Sequence, residues 1–260
     1  MTLLSLGAST NALACGPYNV AFYETGSLYF KNDNGEYTGI DKDVMAELAK
    51  RTACKLNIFL DSRVRTWTAL ADGTLDMTVS ALATPEREVF AQFVPYIQNN
   101  RNYLIVKNEL PTHARSLAGF ADSKSLKLGV VRGFKHGASL DPWIDGLRAA
   151  GRVFEEADLE ALARLLALGR IDGFFTQPVV WEPLLRRNHL ENKVSKLDVA
   201  PMDSANLGLA FSRKRVAAED IKLIQRAIEA MRADGTLAAI YARYLDPATA
   251  RAAAAAPAAH

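Results

Sequence analysis

Leu70-Ala71-Asp72-Gly73-Thr74-Leu75-Asp76 and Leu166-Ala167-Leu168-Gly169-Arg170-Ile171-Asp172 carry one pattern, Leu-Ala-x-Gly-x-x-Asp, with the two acids 96 residues apart. In each copy an apolar helix end meets a glycine, the residue best suited to a left-handed C′ position. An acid then leads into a short apolar run, Leu75–Ser80 in the first copy and Ile171–Phe175 in the second. A helix that stops on glycine and feeds a buried strand is half of a βαβ unit. Two such units this far apart predict an α/β chain of two lobes, each a mainly parallel sheet flanked by helices.

The surroundings extend the plan. Val20–Tyr23 and Leu56–Leu60 read as strands, joined by a helix that Asp41 can cap and that buries Val44, Met45, Leu48 and Ala49. Thr84-Pro85-Glu86 is a helix start, with a capping hydroxyl, proline at N1 and an acid facing the positive dipole end. In the second half, Leu126–Val131 and Val153-Phe154 read as strands, and Asp141, Asp158 and Pro178 open helices. A long amphipathic helix over about 219–232 and a shorter one reaching Leu245 close the fold. Polar stretches at 98–101 and 203–206 are the two places where the chain can cross between lobes, so the lobes can hinge about a cleft.

Composition bounds the function. The chain has 260 residues, 49% hydrophobic, with 31 Lys+Arg against 29 Asp+Glu, a formal charge of +2. Such a balance offers no drive toward nucleic acid. No run approaches the roughly 18 apolar residues that span a bilayer. Two cysteines cannot build a structural zinc site, and His113, His136, His189 and His260 lack ligand spacing, so neither metal nor cofactor is expected.

Residues 1–14 are uncharged and end in Ala12-Leu13-Ala14, which reads as the remnant of a signal peptide. Export would make the location periplasmic, with Cys15 first in the mature chain; Ala12 stands where a lipoprotein signal has Leu. Cys15 and Cys54 each precede a strand. If those strands are parallel neighbours the two can bridge; otherwise they are two small buried hydrophobes. Residues 246–260 are low-complexity and read as a disordered tail. The expected organisation is therefore a first lobe of 15–98 plus 207–245 and a second of 99–206.

The segments GEYTGIDKDVMAELAKRTACKLNI, WTALADGTLDMTVSALATPEREVFAQFVPY, SLAGFADSKSLKLGVVRG, LARLLALGRIDGFFTQP and AIEAMRADGTLAAIYARYL occur in that order. Together they resemble the type 2 periplasmic solute-binding proteins, specifically bacterial extracellular family 3, the polar amino acid receptors of ABC importers. The resemblance spans about Cys15 to Leu245. It implies a monomeric receptor that closes on a small anionic or zwitterionic ligand and docks on an inner-membrane permease.

The resemblance also implies a site. Arg87 matches the arginine that holds a ligand carboxylate, a task suited to a planar guanidinium; the alternative is a surface arginine pairing Glu86 or Glu88. Ser80 and Ala81 match assisting backbone groups, and Leu82 stands where a hydroxyl is usual. Arg63 takes the place of an aromatic clamp. Arg132 and Phe134 match a strand-to-helix turn facing anions. Thr176 and Gln177 fall where family members place an ammonium-binding Asp, and a neutral amide cannot offset that charge. Tyr23 and Glu24 lie at the mouth of the first strand. Arg63, Arg87 and Arg132 against Glu24 predict an anion-selective cleft. Two alternatives remain: an enzyme similar to cyclohexadienyl dehydratases, with Glu24 or a turn-exposed His136 as proton donor, and a solute-sensing module.

Overall fold

The computed structural model describes residues 15–201 and 206–256; the signal-peptide reading of 1–14 lies outside them. The chain begins with β1 (Tyr18–Phe22), the hairpin β2 (Phe30–Lys31) and β3 (Tyr37–Thr38), α1 (Ile40–Thr52), β4 (Leu56–Leu60) and α2 (Arg63–Asp72). Next come β5 (Met77–Leu82), the one-turn α3 (Pro85–Glu88), β6 (Ala91–Ile97), β7 (Tyr103–Lys107), α4 (Leu117–Asp122) and β8 (Leu128–Val131). They are followed by α5 (Asp141–Ala149), β9 (Val153–Glu156), α6 (Leu159–Ala167), β10 (Gly173–Thr176), α7 (Pro178–Arg187) and β11 (Val194–Leu197). The last elements are β12 (Leu207–Ser212), α8 (Ala218–Ala233), α9 (Thr236–Tyr241) and α10 (Pro247–Ala254).

Two five-stranded sheets result, ordered β4-β1-β5-β12-β6 and β11-β7-β10-β8-β9. In each, four strands share one direction and one, β12 or β7, opposes them. Each reversed strand is the one that follows a crossing from the other lobe. The crossings touch, Asn99 N–H donating to Asn206 Oδ1 at 3.3 Å.

The repeated pattern has a physical basis. Gly73 and Gly169 both take left-handed backbone, φ 76 and 70. Asp76 Oδ2 accepts the N–H of Asn19, and Asp172 Oδ2 that of Lys127, both at 2.8 Å. In either lobe the acid thus ties its strand to the entry of the neighbouring parallel one. Cys15 and Cys54 form a disulfide with Cα atoms 4.4 Å apart, because β1 and β4 are parallel neighbours.

Two expectations change. Gly39, not Asp41, is the N-cap of α1, and Asp41 lies inside the first turn, fully buried. The expected tail is helical over Pro247–Ala254, and its last residues, 257–260, lie outside the described residues. Asp246 caps α10 through the N–H groups of Ala248 and Thr249, alanine is the strongest helix former, and Ala250 and Ala253 are buried. This helix packs on β6, α9 and α7, and Ala253 O accepts the N–H of Gln98 in the first crossing at 3.0 Å. β6, which carried no strand assignment from the sequence, is an edge strand and so tolerates Pro95.

Candidate functional site: a cleft between the lobes

Local chemistry presents two arginines at the junction of the lobes. Ser62 caps α2 by accepting the Arg65 N–H, so Arg63 sits in the first turn. Thr84 caps α3 by accepting the Arg87 N–H, and its hydroxyl also donates to Glu86 at 2.7 Å. Glu86 is thereby occupied, and the surface-pair alternative for Arg87 does not hold. Arg87 is buried. Its Nη1 donates to Leu82 O and its Nη2 to Gly133 O, both at 3.1 Å, the second bond reaching across to the other lobe.

Aromatic faces support both guanidiniums. Arg87 lies 3.6 Å over the Trp67 ring, and Arg63 lies 3.8 Å over Tyr23 and 5.0 Å from Phe134 of the second lobe. The ion pairs formed among the described residues include neither arginine. Burial, with the neighbouring Arg63 charge, pulls the Arg87 pKa down to about 10. A buried cation without a carboxylate partner is costly, and its charge is available to an anion.

Arg63 lines an interlobe cavity of about 700 Å³, together with Tyr23, Glu24 and Phe134; Arg87 lies in the seam beside it. The seam is tight elsewhere too. A Cβ on Gly26 would lie 2.5 Å from Val180 Cβ of α7, and Val179 and Val180 pack with the first-lobe core. These dimensions suit a metabolite rather than a polymer.

The family model for bacterial extracellular solute-binding proteins, family 3, matches residues 20–247. The chain belongs to that family. A probable amino-acid-binding protein, YxeM, of Bacillus subtilis (strain 168) is 24% identical over 216 residues, covering 82% of this chain and 78% of its own. Among solved structures, an ancestral arginine-binding protein bound to arginine aligns with TM-score 0.72 at 24% identity, over 88% of this chain and 98% of its own. The substrate-binding protein of an ABC uptake transporter from Streptococcus pneumoniae, with bound histidine, aligns with TM-score 0.71 at 17% identity, over 87% and 91%. These likenesses carry the two-lobed periplasmic-binding fold.

In this solute-binding protein several expected residues take other roles. Arg132 lies in the turn after β8, is exposed and turns to Glu155 on β9, its Nη2 donating to the Glu155 carbonyl at 3.3 Å. Arg132 therefore leaves the expected set, while the cavity wall also carries Arg65, Arg164 and Arg187. Arg65 pairs with Asp61 and Arg187 with Glu160, and Arg63 has no ion-pair partner there among the described residues. Ser80 has no group free for a ligand: its N–H donates to Tyr96 OH, its hydroxyl to Asp41, and its carbonyl accepts from Tyr23 OH. Ala81 is buried and pairs with Gly208, while Leu82 contributes its carbonyl. Glu24 is on the exposed rim, accepting from Tyr37 OH at 2.8 Å.

In the second lobe, Gln177 is buried and committed at both ends. Its Oε1 accepts from Asn100 at 2.7 Å and its Nε2 donates to Asn102 at 3.1 Å. Thr176 is buried with an unpartnered hydroxyl at a pinhole of about 10 Å³ that Phe134, His136 and Val180 also border. His136 is not on an exposed turn but buried between Phe134 and Phe175, beside Asp141, and burial lowers its pKa. From the sequence Trp67 is a candidate stacking wall with core packing as its default reading, and its role under Arg87 goes beyond that; Asn100 and Asn102 were missed. The polar run at 98–101 was the one available signal for the asparagines; for Trp67 core packing was the default because an aromatic in an amphipathic helix reads as core.

Proposed function

We propose that this solute-binding protein is the periplasmic receptor of an ABC importer and captures a small carboxylate-bearing solute, a dicarboxylate or an amino-acid-like acid. The observation that carries the reading is the pair of unneutralised guanidiniums, Arg63 and Arg87, stacked on aromatic rings where the lobes meet. A ligand carboxylate would take over the Arg87 N–H groups that Leu82 and Gly133 carbonyls now accept, exchanging neutral acceptors for a charged one. Arg63 would hold a second acidic group from the cavity side.

Gln177 bears no charge and is spent on Asn100 and Asn102, so a free ammonium finds no acid at the position where the resemblance places one. This supports a dicarboxylate or an N-substituted amino acid over an ordinary neutral one. The lobes, 15–98 with 207–245 and 99–206, would close about the paired crossings, and the closed form would be what the permease recognises. Engagement of the Cys15 sulfur with Cys54 supports a disulfide-bonded rather than a lipid-anchored mature start.

Calorimetry against a panel of amino acids and dicarboxylates tests the reading. Acidic hits are expected; tight binding of lysine or arginine with no acidic hit overturns it.

A further inference from the structure

Asp41 is a carboxylate buried to 1% exposure that meets no cation at hydrogen-bond distance. It accepts two hydroxyl protons instead, from Ser80 Oγ at 2.7 Å and from Tyr96 OH at 2.6 Å. The first turn of the 13-residue helix α1 gives it some compensation through the helix dipole. Burying an acid on these terms is costly, and burial pushes its pKa up to about 7. The Arg63 charge acts on it, and Tyr23, Tyr96 and Tyr241 are the other titratable groups that feel it.

What the carboxylate holds is an irregular piece of β5. The register with β12 steps from Ala81↔Gly208 to Thr78↔Ala210, so Val79 and Ser80 together face Leu209. This is a β-bulge, and Ser80 within it takes φ 48, a left-handed conformation that a residue with a Cβ adopts at a cost. Side chains replace the missing ladder. Tyr96 OH takes the Ser80 N–H at 3.0 Å, and Tyr23 OH reaches the Val79 and Ser80 carbonyls at 2.8 and 3.2 Å. Immediately beyond the bulge, Leu82 O meets Arg87, and the Tyr23 ring carries Arg63.

We infer that Asp41 is a positioning residue for the first-lobe half of the ligand site: by holding Ser80 left-handed and Tyr96 in place, it fixes the bulge that aims Leu82 at Arg87 and seats Tyr23 under Arg63. Its link to binding rests on the reading of the interlobe seam as the ligand site; its grip on the bulge does not. Asp41 touches no ligand itself and acts through the strand.

The test separates the two claims. Amide exchange over residues 79–82 and L-glutamate affinity by calorimetry are measured for the full chain and for D41N, Y96F, S80G and the double variant D41N/S80G. D41N is expected to raise exchange across 79–82 at least tenfold, leave core amides of β1 and α1 unchanged, and weaken L-glutamate at least tenfold. Y96F should do the same to a smaller degree. S80G lets glycine take this conformation unaided but removes one of the two hydroxyls that Asp41 accepts from. Alone it should therefore lower stability while leaving exchange at 79–82 and L-glutamate affinity closer to the parent than D41N does. D41N/S80G, with no charge left to bury, should recover most of both losses. Exchange at 79–82 unchanged in D41N and Y96F overturns the inference. So does a D41N defect that spreads through the core and resists S80G. A wild-type chain that does not bind L-glutamate counts against the acid-ligand reading alone, and the exchange arm still decides Asp41.

Discussion

Replacing Arg87 with methionine should separate ligand capture from stability. The guanidinium is buried and its pKa falls from above 12 to about 10. At 1.36 kcal/mol per pH unit, keeping it charged there costs about 3 kcal/mol. Against this stand two charge-assisted hydrogen bonds, to Leu82 O and Gly133 O, and the Trp67 stack. Those contribute about 1.5 kcal/mol per bond and about 1 for the stack, so the net is near zero. Methionine fills a similar volume, keeps contact with the indole and carries no charge. Ligand-free Arg87→Met should therefore melt within a few degrees of the parent. Removing one partner of a buried ion pair costs about 2–5 kcal/mol, so affinity for an acidic ligand should fall at least thirtyfold. Differential scanning calorimetry and titration calorimetry on one preparation read both. An unchanged affinity, or collapse of the ligand-free fold with affinity preserved in the folded fraction, would refute the reasoning.

Gly26→Ala should weaken ligand binding about tenfold or more and enlarge the scattering radius, since its Cβ would lie 2.5 Å from Val180 Cβ in the seam; unchanged affinity would show that closure does not need this approach. Asp41 sets a pH dependence with a definite sign. Its pKa in the folded protein is about 7 against 3.8 when exposed, so the folded state binds the extra proton and stability falls as pH rises from 4 to 7. The full effect is about 4 kcal/mol, and D41N should flatten that part of the profile in urea titrations; a parallel profile would contradict it. Ending the chain at Leu245 removes the acceptor of Gln98 N–H and two acceptors of Arg232, which should cost about 2–4 kcal/mol in urea unfolding. Replacing both Cys15 and Cys54 by alanine opens a 39-residue loop and should cost about 4 kcal/mol.

Local chemistry made much of the fold legible in the chain. Gly73 and Gly169 end helices because only glycine takes that turn freely, Thr84 and Asp158 cap because their oxygens accept free helix N–H groups, and β4 begins and ends where its apolar run does. Arg87 was legible too, because its neighbours Thr84-Pro85-Glu86 fix a one-turn helix that presents it. Other assignments depended on what the chain folds against. Arg132 and Phe134 are two residues apart, yet one turns to Glu155 and the other reaches Arg63, a difference set by the turn at Gly133, φ 76, between them and by where the first lobe lies. Ser80 looked like a ligand donor until Asp41, Tyr23 and Tyr96, from three separate segments, claimed each of its polar groups. The alanine-rich end looked like a tail because its helix exists through contacts with Gln98 and Arg232, far away in sequence. Spacing and capping act over a few residues and can be read along the chain. The partners of a long polar side chain, and the burial that sets its charge, exist only once distant segments share a surface.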